Sequence, residues 1–63
     1  MNKLSVYVVE LTREGWLKAD GSYIRRESFL ARSTSDAIQM FAFKYQTLIN
    51  RTEEPLILCY LKD

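Results

Sequence analysis

Few side chains in this chain could do covalent or acid–base chemistry, and their spacing serves it poorly. Glu53 and Glu54 are adjacent carboxylates of the kind that can divide acid and base roles. They fall in a polar connector just before Pro55, where nothing nearby would bury and tune them. Cys59 stands alone in an apolar run, and the chain has no histidine. Without imidazole there is no triad of the usual kind and no base poised near neutral pH. A single thiol gives no ligand set for zinc. Gly15 and Gly21 stand apart rather than in a phosphate-cradling loop. The chain therefore reads as non-enzymatic, with no cofactor and no metal. What remains is recognition chemistry: the Arg25-Arg26 pair, the aromatic residues Tyr7, Trp16, Tyr23 and Tyr60, and a surplus of apolar side chains.

The element around which these residues must be arranged is the stretch 33–50, STSDAIQMFAFKYQTLIN, which predicts one helix over about 34–50. Ser33 is the natural N-cap, with Asp36 placed as a capping-box-like partner near the positive end of the dipole. Asn50 can close the helix, and Pro55 forbids its continuation. Steps of three and four from Ile38 collect Phe41, Ala42, Tyr45, Leu48 and Ile49 on a core-facing stripe. Met40 and Phe43 then fall on the opposite side, where a single packed layer would leave them in water. That placement makes them the first candidates for a subunit or partner interface.

Three strands are expected around this helix, at about 3–11, 22–32 and 55–61. The first sends Leu4, Val6 and Val8 one way and Tyr7, Val9 and Leu11 the other. In the second, adjacent Arg25 and Arg26 must point to opposite faces unless a bulge intervenes. Phe29 and Ala31 share one face; Ile24, Ser28 and Leu30 share the other. The last strand is apolar on both faces and reads as the central one. Gly15 and the Asp20-Gly21 pair mark the reversal between the first two strands, and Trp16 lies between them, either capping the core or offered to a partner. The predicted architecture is α+β: a single domain over 1–63, in the order ββαβ, with a three-stranded antiparallel sheet and one helix packed on one face.

A single helix covers one face of such a sheet, so the other needs cover from outside. Tyr7, Val9 and Leu11, with one set from the last strand, are expected to meet a second copy of the sheet or another protein. Length points the same way. A chain of 63 residues buries about 60% of its unfolded surface and usually needs a staple. One cysteine supplies no internal disulfide, so association is the remaining staple, and a homodimer is expected. The N-terminus alternates rather than running apolar, and no apolar run approaches the roughly 20 residues of a membrane span, so no signal peptide and no membrane association are expected. The expected location is the cytoplasm, that of a host cell if the chain is phage-encoded. A net charge of +1 does not argue for nucleic-acid binding. That function would need Tyr7, Tyr23, Trp16 or Tyr60 gathered on one face beside Arg25, Arg26 and Arg32.

The ββαβ order, the Ser33, Ser35 and Asp36 helix start and the apolar last strand resemble the small dimeric inhibitors of uracil-DNA glycosylase made by phi29-type phages. The resemblance covers the last two thirds of the chain. It implies a homodimer that blocks the DNA-binding groove of the host glycosylase, and covers its protruding apolar side chain, as a mimic of DNA. The positions after the Ser-Asp pair, where the family pattern calls for an aromatic and an acidic residue, are Ala37 and Ile38, so no contact residue carries across. Acidic contacts, if the mimicry holds, would come from Asp36, Glu53, Glu54 and Asp63. The expected function is binding and inhibition of a host protein by occluding its working surface. The alternatives are a nucleic-acid module using the sheet aromatics and arginines, and a structural homodimer.

Overall fold

The computed structural model describes residues 3–14 and 23–62. Gly15, Trp16, the Asp20-Gly21 turn, the predicted start of the second strand at Ser22, and Asp63 lie outside the described residues. Strands β1 (Ser5–Arg13), β2 (Arg25–Ala31) and β3 (Pro55–Leu61) form one antiparallel sheet, with helices α1 (Thr34–Lys44) and α2 (Gln46–Arg51) between β2 and β3. The sheet order is β2-β1-β3, which makes the arrangement α+β as expected but corrects the position of the last strand. β1 is central and β3 is an edge. The chain leaves β2, crosses the helical layer and returns on the far side of β1. Both neighbours of β1 run antiparallel to it, with Glu10 opposite Arg26 on one side and Leu58 on the other. A strand apolar on both faces can be a buried centre or an edge with an uncovered face, and alternation alone does not distinguish them.

Side-chain alternation along β1 then sets the core. Val9 and Leu11 are fully buried with Ala31, Ala37 and Phe41, and Tyr7, Phe29, Ile57 and Cys59 pack around them under the helices. The Phe41 ring meets Phe29 edge-on at 6.2 Å and lies against Tyr45 at 4.9 Å, favoured aromatic geometries. Ile24 also packs against this core, although simple alternation puts it on the other face. It precedes the first regular residue of β2, so the alternation does not extend to it.

The helix start is built as its sequence predicts. Ser33 Oγ accepts from the Asp36 amide at 3.1 Å, and the Asp36 carboxylate accepts from the amide of Arg32 at 3.3 Å, one residue before the cap. The expected single helix over 34–50 is interrupted at Tyr45, whose φ and ψ of −114° and 29° separate α1 from α2. No Gly or Pro sits there. Tyr45 is instead held by tertiary contacts: its hydroxyl donates to Glu27 of β2, and its ring packs on Phe41. α2 runs through Asn50 to Arg51, and Thr52 ends it, its amide bonding to Ile49 O and its hydroxyl to Leu48 O.

Candidate functional site

The residues singled out as a partner surface fall in two places. Met40 and Phe43 are 42% and 87% exposed on α1, Phe43 on the side away from buried Ala37 and Phe41 and Met40 on the flank between, a correction to the expectation that both lie opposite the core. Tyr7, Val9 and Leu11 are on the helix-covered face, Val9 and Leu11 with no exposure at all. The expectation that this set forms the uncovered face is therefore corrected. Two-residue alternation divides β1 into two sets without saying which one the helix takes. One signal was available: Glu10, the only charged residue between Ser5 and Thr12, shares its set with Val6 and Val8 and marks that set as the open side.

The cross-strand register builds the open face row by row. Leu30 lies beside Val6; Val8 sits between Ser28 and Tyr60; Glu10 sits between Arg26 and Leu58; Thr12 faces Leu56. Glu10 is only 7% exposed although no helix among the described residues lies over it. Its Oε2 accepts from Arg26 Nε at 3.0 Å, from Arg26 Nη2 at 2.9 Å and from the Tyr60 hydroxyl at 2.7 Å. One carboxylate on the central strand thus ties both edge strands together through charge-assisted bonds, the pairing a buried charge requires. Donation to this carboxylate, with some loss of water, holds the Tyr60 phenol above its ordinary pKa. The Tyr23 ring lies 4.2 Å from the Arg26 guanidinium carbon, within cation–π range. Around this tie Val6, Leu30, Tyr23 and Tyr60 remain exposed, Leu30 by 56%.

Arg25 and Arg26 point to opposite faces, in an uninterrupted register, as their adjacency requires. Arg25 lies on the helix side, 5.0 Å over the Tyr45 ring and 3.9 Å from the Glu27 carboxylate. Glu27 also receives Lys44 Nζ at 2.7 Å and the Tyr45 hydroxyl, and these donors hold its carboxyl below the ordinary range. The pair of arginines is thus split between two carboxylates, and among the described aromatic residues Tyr23 and Tyr60 accompany Arg26 on the open face.

The carboxylates named as acidic contacts are dispersed. Asp36 serves the helix cap, Glu53 pairs with Arg13 at 3.0 Å, and Glu54, exposed and at a φ of 48°, occupies the turn into β3. Cys59 faces the helix layer with its thiol 3.8 Å from Thr34 O, and burial pushes its pKa up, which lowers its thiolate fraction and reactivity. No helix among the described residues is long and apolar enough to cross a membrane.

Fold and surface together define a small α+β domain with one face of its sheet closed by helices and the other, called the open face here, carrying no helix among the described residues, its central Val8, Glu10 and Thr12 buried and its Val6, Leu30, Tyr23 and Tyr60 exposed. No family model matches the chain, and no match emerges among curated proteins or solved structures.

Proposed function

We propose that this chain is a non-enzymatic protein-binding domain that acts by covering the working surface of a host protein, with the open sheet face as its recognition surface. The observation that carries this reading is the composition of that face and the bonds that tie its polar groups together. Exposed Val6, Leu30, Tyr23 and Tyr60 surround an Arg26–Glu10–Tyr60 lock that fixes the polar groups before any partner arrives. Tyrosine and arginine are the residues over-represented at binding hot spots, and a preorganised surface loses less entropy on association. The resemblance to phage inhibitors of uracil-DNA glycosylase supplies the best named target, with Asp36, Glu53 and Glu54 as the carboxylates that would stand for DNA phosphates.

The test is capture from bacterial lysate on the tagged chain, with and without nuclease, beside a Leu30→Asp variant. One host protein retained by the parent chain after nuclease, and lost with Leu30→Asp, is the expected outcome. Retention unchanged by Leu30→Asp would sink the open face as the recognition surface. For the named target, purified glycosylase titrated with the chain should lose activity at a stoichiometric dose; full activity in excess chain would remove that target. Tyr23 and Tyr60 beside Arg26 also give a stacking platform on one face, which favours a second reading as a single-strand nucleic-acid module. Capture that disappears with nuclease would transfer the assignment to it.

A further inference from the structure

The charges that the fold leaves unpaired are unevenly placed. Glu10, Glu27, Asp36 and Glu53 are all bonded within the domain. Glu14 and Glu54, both exposed, meet at the end of the sheet where β3 begins, the Glu14 amide donating to Glu54 O. Lys3, Arg32 and Lys62 are exposed at the other end, where β1 begins and β2 and β3 finish. None of the three forms an ion pair among the described residues, and of the other described cations only Arg51, at the end of α2, shares that state. Asp36 comes close but is turned to the helix start, where it accepts from the Arg32 amide. Asp63 follows Lys62 in the sequence and offsets one of the three charges. Apolar exposure gathers at the same end, in Leu4, Val6, Leu30 and Leu61. Leu30 pairs with Val6, and the Lys62 amide bonds to Val6 O from the other side.

We propose that this end of the open face seats an amphipathic helix of the host protein, with its apolar stripe on Leu4, Val6 and Leu30 and carboxylates along both flanks. Arg32 follows the last residue of one edge strand and Lys62 the last residue of the other. Neighbouring strands stand about 4.8 Å apart, so the two edge strands lie about 10 Å from each other across β1, the width of one helix. Cations at both margins of an apolar strip complement a helix with acidic flanks, and such rim charges set its orientation and speed its arrival. Leu4, Val6 and Leu30 carry no ring on which a base could stack, and the Tyr23 ring lies against Arg26 at the far end of the sheet, so the strip suits a protein better than a nucleic acid. The inference rests on the open face as recognition surface and not on the named target, whose DNA-binding groove would have to meet Glu53 and Glu54 at the far end.

The experiment is fluorescence anisotropy of the intact chain with three labelled probes: a stapled helical peptide with a leucine stripe flanked by glutamates, the same peptide with lysines in their place, and a single-stranded DNA oligonucleotide. The acidic peptide should bind about tenfold more tightly than the lysine peptide, and added salt should weaken it. Arg32→Glu with Lys62→Glu, both exposed and outside the strands, should leave the circular dichroism spectrum unchanged and reverse the preference between the peptides. Equal binding of the two peptides, binding of neither, or a preference that survives the charge reversal overturns the proposal. Tighter binding of the oligonucleotide overturns it in favour of the nucleic-acid reading. A host protein whose capture is lost with Leu30→Asp but not with Arg32→Glu and Lys62→Glu would overturn the acidic helix alone and leave the open face as the recognition surface.

Discussion

Each face of the sheet is organised around one glutamate that receives a tyrosine hydroxyl and a cation, yet the two clusters do different work. On the helix side Glu27 of β2 takes Lys44 and Tyr45 from the end of α1, with Arg25 alongside. That cluster fastens one layer to another, and its partners reach it from solvent. On the open side Glu10 takes Arg26 and Tyr60 from the two edge strands, entirely within one layer. It is the more buried carboxylate of the two, with side-chain exposures of 10% against 24%. The helix-side face thus gets its order from packing and uses the ion pairs as a latch, whereas the open face gets its order from the lock itself. A face ordered by its own polar network holds its polar groups in one arrangement without help from the helices.

The largest effect should come from the face that depends on packing. Phe41→Ala removes the biggest fully buried side chain and should cost about 3–5 kcal/mol. At about 0.05–0.15 kcal/mol per residue the whole domain holds only a few kcal/mol, so urea unfolding followed by circular dichroism should find this variant mostly unfolded in buffer. Glu10→Gln should come next, at about 2 kcal/mol, because it leaves the Arg26 charge beside a neutral amide that cannot satisfy it equally. Glu27→Gln should cost less than Glu10→Gln, since water can replace its partners. The reverse order would mean that the open face is held by something other than its lock.

The sequence disclosed the elements better than their arrangement. The Ser33 cap, the spacing of Phe41, Tyr45, Leu48 and Ile49, and the strand runs are local patterns set by hydrogen bonds and periodicity within a few residues. Three features depended on distant partners. The break at Tyr45 follows from Glu27, 18 residues earlier. The central place of β1 follows from the crossover, not from the composition of β3. The choice of the Val9 and Leu11 set for the core follows from which side the helix docks. Of the open face, Arg26, Tyr23 and Tyr60 could be singled out from their residue types, while their gathering with Val6 and Leu30 around Glu10 could not. A lone charge inside a strand is a usable signal for the exposed side, and Glu10 carried it.

Titration should separate the two clusters further. The Glu27 carboxyl titrates lower in the folded chain than in the unfolded one, because Lys44 and Tyr45 favour its charged form. Its contribution is therefore complete above the unfolded value near 4.3 and is lost as pH falls through the folded one. Tyr60 is shifted upward, chiefly by its bond to Glu10, so its contribution is complete below the unfolded value near 10 and is lost as pH rises through the folded one. Lys44, raised by Glu27, adds to the alkaline loss from the helix side. In urea unfolding across pH, Glu27→Gln should flatten the acid limb and Tyr60→Phe should flatten part of the alkaline limb. An alkaline limb unchanged by Tyr60→Phe would show that the bond to Glu10 does not hold the phenol's proton.

The smallest effect on stability belongs to the outer side of α1, two residues from the largest. Phe43 is almost wholly in water, so Met40→Gln with Phe43→Glu removes little buried area and should change the free energy of unfolding by less than about 0.5 kcal/mol. The same pair decides whether a second surface takes part in recognition. If host-protein capture is unchanged, the open face suffices, and Met40 and Phe43 are ordinary exposed apolar residues. If capture falls, the partner reaches over the helical layer as well as the sheet. Loss of the fold would mean that the outer side of α1 is covered within the domain, against an exposure of 87% at Phe43.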